Sequence, residues 1–242
     1  MSRLGRIFNH PKAAPRSEAG SARCRIRAVD SDEKEARRQA ILDAAEKLFA
    51  AHQDMANVAD VADAAGLAKG TVYLYFHSKE EVYLALHLRY AGRFLGELAA
   101  RLSSAQTFGF AEVRSLAIKH ILDEPNYLPL SACCVGFAAG AVSAAASAYF
   151  EARLGALLQA AGDGLERHFP QLEQGEGARL LRHSYAFMLG LYCLLRRSGP
   201  SCAPVDDTES FQEEATHVLA RYWAQVAGID DSATGISPGR GK

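Results

Sequence analysis

The stretch from Asn57 to Lys79, NVADVADAAGLAKGTVYLYFHSK, constrains this chain more than any other, because it allows two short helices only if the backbone reverses sharply between them. Asn57 is suited to cap the first helix, since its side-chain oxygen can accept from an otherwise orphaned backbone N–H one turn ahead. Val58, Val61, Ala62 and Ala65 then recur at helical spacing, while Asp60 and Asp63 point away. Gly66 falls at the reversal, where a left-handed conformation is cheap only for glycine. The spacing predicts a second helix over 68–74, with Leu67 and Val72 turned inward. Lys69, Gly70, Thr71 and Tyr73 are left on its outer side. This is a helix-turn-helix, and that outer side is the part of a recognition helix that reaches base edges in a major groove. Gly70 has no side chain to hold the backbone away from DNA. Ser78 to Glu81 reads S-x-x-E, a capping box that starts a third, longer helix. Its free N–H groups, with Lys79 beside them and Tyr75 and His77 at the same corner, suit a DNA phosphate.

The run AGLAKGTVYLYFHSKEE, preceded by RRQAILDAAEKLF on an upstream helix, resembles the N-terminal DNA-binding domain of the TetR family of bacterial transcriptional regulators. The joined pattern K-G-T-x-Y-x-Y-F-x-S-K-E-E carries the resemblance, which covers roughly residues 34 to 86. It implies an all-α protein: a three-helix DNA-binding domain followed by a larger helical domain that binds a small-molecule effector and dimerises. One segment departs from the family, whose loop between Phe49 and Val58 contains a glycine and is one residue longer than AAHQDMAN here.

Composition agrees with a helical, globular chain. Of the 242 residues 49% are apolar, and alternating β-branched runs hardly occur among the Ala, Leu, Glu and Arg that dominate. The formal net charge of −1 gives no sign of nucleic acid by itself. Its distribution does more: 13 Lys and Arg stand against 10 Asp and Glu through residue 79, and 14 against 18 beyond it. Five cysteines at 24, 133, 134, 193 and 202 lack paired metal spacing and follow no apolar signal segment, so a cytoplasmic location is expected. No apolar run reaches the ~18 to 20 residues of a membrane span.

Taken in order, residues 1–30 carry seven basic residues and are expected to form a disordered arm, a solvated tail or a tracker of phosphates. A DNA-binding domain is expected over 31–79, with its first helix from about 31 to 51 holding Ile41, Ala45, Leu48 and Phe49 inward. Over 80–227 an effector-binding and dimerisation domain follows, and 228–242 reads as a disordered tail. A long helix from about 80 to 101 connects the two domains. The next helices are expected over 110–122, from 127 through CCVGFAAGAVSAAA, over 144–169, over 178–197 and over 208–226. The resemblance implies that the last two pair with their copies in a homodimer; the sequence itself shows two amphipathic helices.

Candidate effector-lining residues are His87, Tyr90, Phe94 and His120, then Tyr127, Cys133, Cys134 and Phe137, then Tyr149, Tyr185 and Met188. They are aromatic, sulfur-bearing and sparsely polar, which fits a hydrophobic or amphipathic small molecule. Cys133 and Cys134 have no basic neighbour in sequence to lower a thiol pKa and read as inert. Glu214 and His217 make a single Glu-x-x-His, short of the doubled pattern of metal bundles. No H-E-x-x-H, phosphate-binding loop, G-x-S-x-G or G-x-G-x-x-G occurs, so no catalytic site, metal or cofactor is assigned. The expected function is a ligand-responsive repressor that binds double-stranded operator DNA as a homodimer and is released by an effector. An activator, or an architectural DNA-binding protein without an effector, would share the same N-terminal residues.

Overall fold

The computed structural model describes residues 18–104, 108–196 and 208–228. Every element within them is helical: α1 Glu18–His52, α2 Val58–Ala65, α3 Lys69–Tyr73, α4 Lys79–Ser104, α5 Phe110–Ala117 with a π-helical segment Ile118–Leu122, α6 Tyr127–Val135, α7 Ala144–His168, α8 Glu176–Arg196 and α9 Thr208–Ala227. The chain divides into two units, 1–39 and 40–242. In the first, Arg37 pairs with Glu33 at 3.2 Å and Gln39 with Glu35 at 2.6 Å, each one helical turn apart.

Two boundaries differ from the sequence reading. The arm expected over 1–30 is helical backbone from Glu18 onward, in keeping with the helix-favouring Ala, Arg and Glu that follow the last proline of that segment, Pro15. Residues 1–17 and the tail 229–242 lie outside the described residues. The helix expected to run on from Tyr127 through the alanines ends at Val135. Gly136 closes it, Gly140 takes a left-handed φ of 84°, and an irregular segment leads to Ser143, which caps α7 by accepting from Ala146 N at 3.3 Å. The helix expected over 110–122 is continuous, but its last turn widens to π geometry.

In the larger unit α4 is the central rod. Val82, Tyr83 and Leu86 pack with Ile41, Phe49, Val61 and Val72 of the first three helices, and the core continues through Phe94, Leu98 and Leu102. Arg89 clamps α4 to α1 through Asp43 at 2.6 Å and Glu46, and Tyr90 Oη donates to Glu46 at 2.6 Å. Tyr83 Oη accepts from Ala56 N at 3.0 Å, which pins the loop before α2. That loop reverses at Gln53, whose φ of 52° takes the left-handed turn that glycine makes more cheaply. Its side chain donates to buried Asn126 at 3.1 Å, an anchor a glycine lacks.

The α7–α8 hairpin closes by backbone contact. A Cβ on Gly162 would fall onto the backbone of Ala178, and one on Gly177 onto the carbonyl of Gly162. Gly155, in the same helix, has open space where its Cβ would stand. Ala substitution should therefore have opposite signs at the two sites. Gly155→Ala should raise stability by about 0.5–1 kcal/mol through backbone entropy and helix propensity. Gly162→Ala should lower it by about 1–3 kcal/mol through overpacking against backbone. Urea unfolding followed by helical circular dichroism measures both, and equal effects would refute the close approach.

Candidate functional site

Local chemistry places the helix-turn-helix. Asn57 Oδ1 accepts from Ala59 N at 2.8 Å and Asp60 N at 3.1 Å, which starts α2. Gly66 ends it with φ 67°, and Leu67 N bonds back to Ala62 O at 2.9 Å, closing the turn before α3. Val72 and Phe76 are buried beneath α3 and its exit. The opposite side is left to solvent: Lys69, Gly70, Tyr73 and His77 are exposed, while Thr71, Tyr75 and Lys79 are half-buried. All seven residues singled out for DNA thus lie on one short stretch of chain, from the start of α3 to the start of α4. Lys69 Nζ sits 6.0 Å from the Tyr73 ring centroid, at the outer limit of a cation–π contact. A Cβ at Gly70 would meet nothing within 4 Å, and its φ is not positive, so this fold has no need of a glycine there.

Leu74 was not singled out from sequence. It is 81% exposed beside Tyr73, itself 44% exposed. The signal was available, since Leu74 follows the inward Val72 by two residues and so turns to the opposite side of the helix.

The capping box at α4 is built differently from the sequence pattern. Ser78 Oγ accepts from Glu81 N at 3.2 Å as expected, but the Glu81 carboxylate accepts from His77 N at 2.8 Å. Its second oxygen accepts from Ser143 N at 3.1 Å.

Of the candidate effector residues, four converge. His87 of α4, only 6% exposed, stacks on Tyr127 of α6 with ring centroids 5.6 Å apart, and its Nε2 shares a 2.9 Å hydrogen bond with Tyr185 Oη of α8. Tyr90 lies 5.7 Å from Tyr127. Phe150 of α7, 5.7 Å from the His87 ring, completes the cluster and was not singled out from sequence, where it is one aromatic in an alanine-rich run. His87 Nδ1 is buried and has no hydrogen-bond partner. Burial pushes the imidazole down to about 4, so it is neutral at pH 7, and burial pushes Tyr185 up to about 12.

Phe94 and Met188 instead line a separate cavity of about 40 Å³, walled by α5, the π segment, α8 and α9 through residues such as Val113, Ile118, Leu181 and Trp223. That volume is far below the ~300 Å³ at which ligand pockets begin. The remaining candidates lie apart. His120 contacts Glu97 at 2.7 Å beside Lys119 at 2.8 Å, and the hydrogen bonds from Lys119 and His120 hold the Glu97 carboxyl down to about 2. Tyr149 is 54% exposed. Phe137 is half-buried just past α6. Cys133 is half-buried too, and the Cys134 thiol, pushed up to about 12 by burial and the neighbouring Cys133, donates weakly to Tyr83 O at 3.8 Å.

Residues 41–86 match the family described as bacterial regulatory proteins, tetR family. No curated protein matches the chain. Among solved structures, a TetR-family transcriptional regulator from Streptomyces coelicolor is similar at 23% identity over 79% of this chain and 98% of that one, with a TM-score of 0.50. The fatty acid degradation regulator FadR from Bacillus halodurans is 17% identical over 74% of this chain and 94% of its own, with a TM-score of 0.46. FadR from Bacillus subtilis, solved in complex with stearoyl-CoA, is 19% identical over 79% and 99%, with a TM-score of 0.45. For the Streptomyces coelicolor protein the likeness is one of fold. Among the described residues no helix is long and apolar enough to cross a membrane.

His87 makes a measurable prediction. Its folded value of about 4 lies below its ordinary 6.5, so the unfolded chain takes up the proton first and stability falls as pH drops between those values. The loss is about 3 kcal/mol by pH 4. His87→Phe should flatten that part of the profile in denaturant unfolding, and an unchanged slope would show that His87 is not buried neutral.

Proposed function

Because the chain carries the DNA-binding domain of the TetR family of bacterial transcriptional regulators, we propose that it is a ligand-responsive repressor, released from a palindromic operator when a hydrophobic or amphipathic small molecule binds its larger domain. The observation that carries the reading is Gly70. A glycine that its own fold does not require, exposed on the outer side of α3 between Lys69 and Thr71, fits a backbone that must approach something outside the chain.

In this reading Lys69, Thr71 and Tyr73 approach base edges, and the exposed Leu74 meets a thymine methyl in the same groove. Tyr75, His77 and Lys79 hold phosphates and set register. The DNA-binding domain ends at about residue 79 and the effector domain takes over along α4. The homodimer forms through α8 and α9, which leave Leu194, Leu195 and Val218 exposed. Two recognition helices about 34 to 36 Å apart then meet successive major grooves.

The effector would enter between the His87 cluster and the small cavity. His87 and Phe94 lie two turns apart on one face of α4, and Tyr185 and Met188 one turn apart on α8. An apolar wall with one unsatisfied imidazole nitrogen suits a ligand whose body is apolar and whose polar group is single. Since the cavity is about 40 Å³, ligand binding must part its walls. Effector then favours a conformation in which the two recognition helices no longer match the operator.

Substitutions should separate these roles on an operator recovered by selection from random DNA. Gly70→Ala should keep or raise thermal stability, by up to about 1 kcal/mol, yet weaken operator binding at least about tenfold. Lys79→Ala should weaken binding to all sequences and reduce the salt slope by about one. Thr71→Ala or Leu74→Ala should change the ranking of sequences. Recovery of no preferred site, or full operator affinity in Gly70→Ala, would overturn the proposal.

A further inference from the structure

The recognition corner is joined to the larger domain by a polar contact as well as by the apolar core. Glu81 is 5% exposed. Burying a carboxylate is unfavourable unless its partners compensate, and a glutamate that only completed a capping box would sit at the surface and bond the cap residue. Glu81 does something else. One oxygen accepts from His77 N at 2.8 Å and lies 3.2 Å from His77 Nδ1; the other accepts from Ser143 N at 3.1 Å. Ser78 repeats the bridge, capping Glu81 N while donating to Ala141 O at 2.9 Å.

Both members of the box therefore tie the start of α4 to segment 136–143. Its other ties are the packing of Phe137 on the core and short-range backbone hydrogen bonds from Gly136, Phe137 and Ala141. Ala138, Ala139 and Gly140 are exposed, and Gly140 is left-handed. Its two ends are α6, which carries Tyr127, and the capping residue of α7, which carries Phe150, and those two rings flank His87. At the other end, His77 is 81% exposed while its Nδ1 faces Glu81, so the carboxylate fixes which way the ring presents its remaining nitrogen. Burial alone would raise the Glu81 carboxyl, but hydrogen bonds from Ser143 and His77 hold it below its ordinary value.

We propose that Glu81 is a positioning residue that couples the DNA-facing corner at His77 to segment 136–143, so that operator binding and the order of that segment rise and fall together. The inference rests on the DNA-binding reading above and names the route by which that site is regulated. The coupling requires a second arrangement of the carboxylate, in which one of the two N–H partners is lost, with operator favouring the arrangement that keeps both.

Coupling is reciprocal, so DNA can serve as the probe without an identified effector. Backbone hydrogen exchange over 136–146 is measured on the full chain, with and without the selected operator duplex, for the wild type and for Glu81→Gln, whose amide keeps one acceptor oxygen and turns an NH2 toward the second N–H. In the wild type, operator should slow exchange at Ser143 by about fivefold or more. In Glu81→Gln the ratio of free to bound rates should fall toward one although saturating operator is bound. No response in operator-bound wild type overturns the coupling and leaves the DNA-binding reading standing. A response that persists in Glu81→Gln also overturns it, since the segment would then sense DNA by another path. Failure to select any operator sinks both.

Discussion

A helix of 26 residues that runs through one continuous core governs the rest of this molecule. At ~1.5 Å per residue α4 is about 39 Å long, and it is buried against α1 to α3 through Val82, Tyr83 and Leu86 and, farther along, against the later helices through Phe94, Leu98 and Leu102. Close-packed interiors transmit displacement because they do not compress. The helix therefore cannot tilt at one end without a response at the other. Arg89, Tyr90 and Tyr83 add polar ties to α1 and to the loop before α2, so the first turns of α4 move with the helix-turn-helix.

The parts of the fold legible in the sequence are those set by neighbours along the chain. Asn57, Gly66 and Ser78 each act within four residues, and the structure uses all three as a local reading requires. What could not be read depends on residues far apart in sequence. Glu81 meets Ser143 from 62 positions away, and no periodicity marks it as more than a capping glutamate. The end of α6 was obscured for another reason. Alanine favours a helix wherever it stands, so CCVGFAAGAVSAAA reads as one helix, while Gly136 and Gly140 interrupt it. The π turn at Ile118–Leu122 leaves no compositional trace.

The candidate ligand residues divide in the same way. Their aromatic character was visible, and His87, Tyr90, Tyr127 and Tyr185 do gather. Which face of each helix points inward decides the others. Tyr149 and Phe150 are adjacent, so at 100° per residue one turns toward His87 and the other outward. Sequence gives the pair but not the phase of α7.

The cavity beside Phe94 and Met188 sets the terms on which a guest of ordinary size is admitted there. A space of about 40 Å³ cannot seat such a guest with its walls as they stand. Occupancy would draw on molecules whose walls have parted, and the measured dissociation constant would be the intrinsic one divided by the fraction of molecules standing open. If opening precedes binding, association would wait on a unimolecular step and its rate would level off as concentration rises. A substitution far from the cavity that loosens α5 against α9 would thus tighten apparent binding without touching the guest.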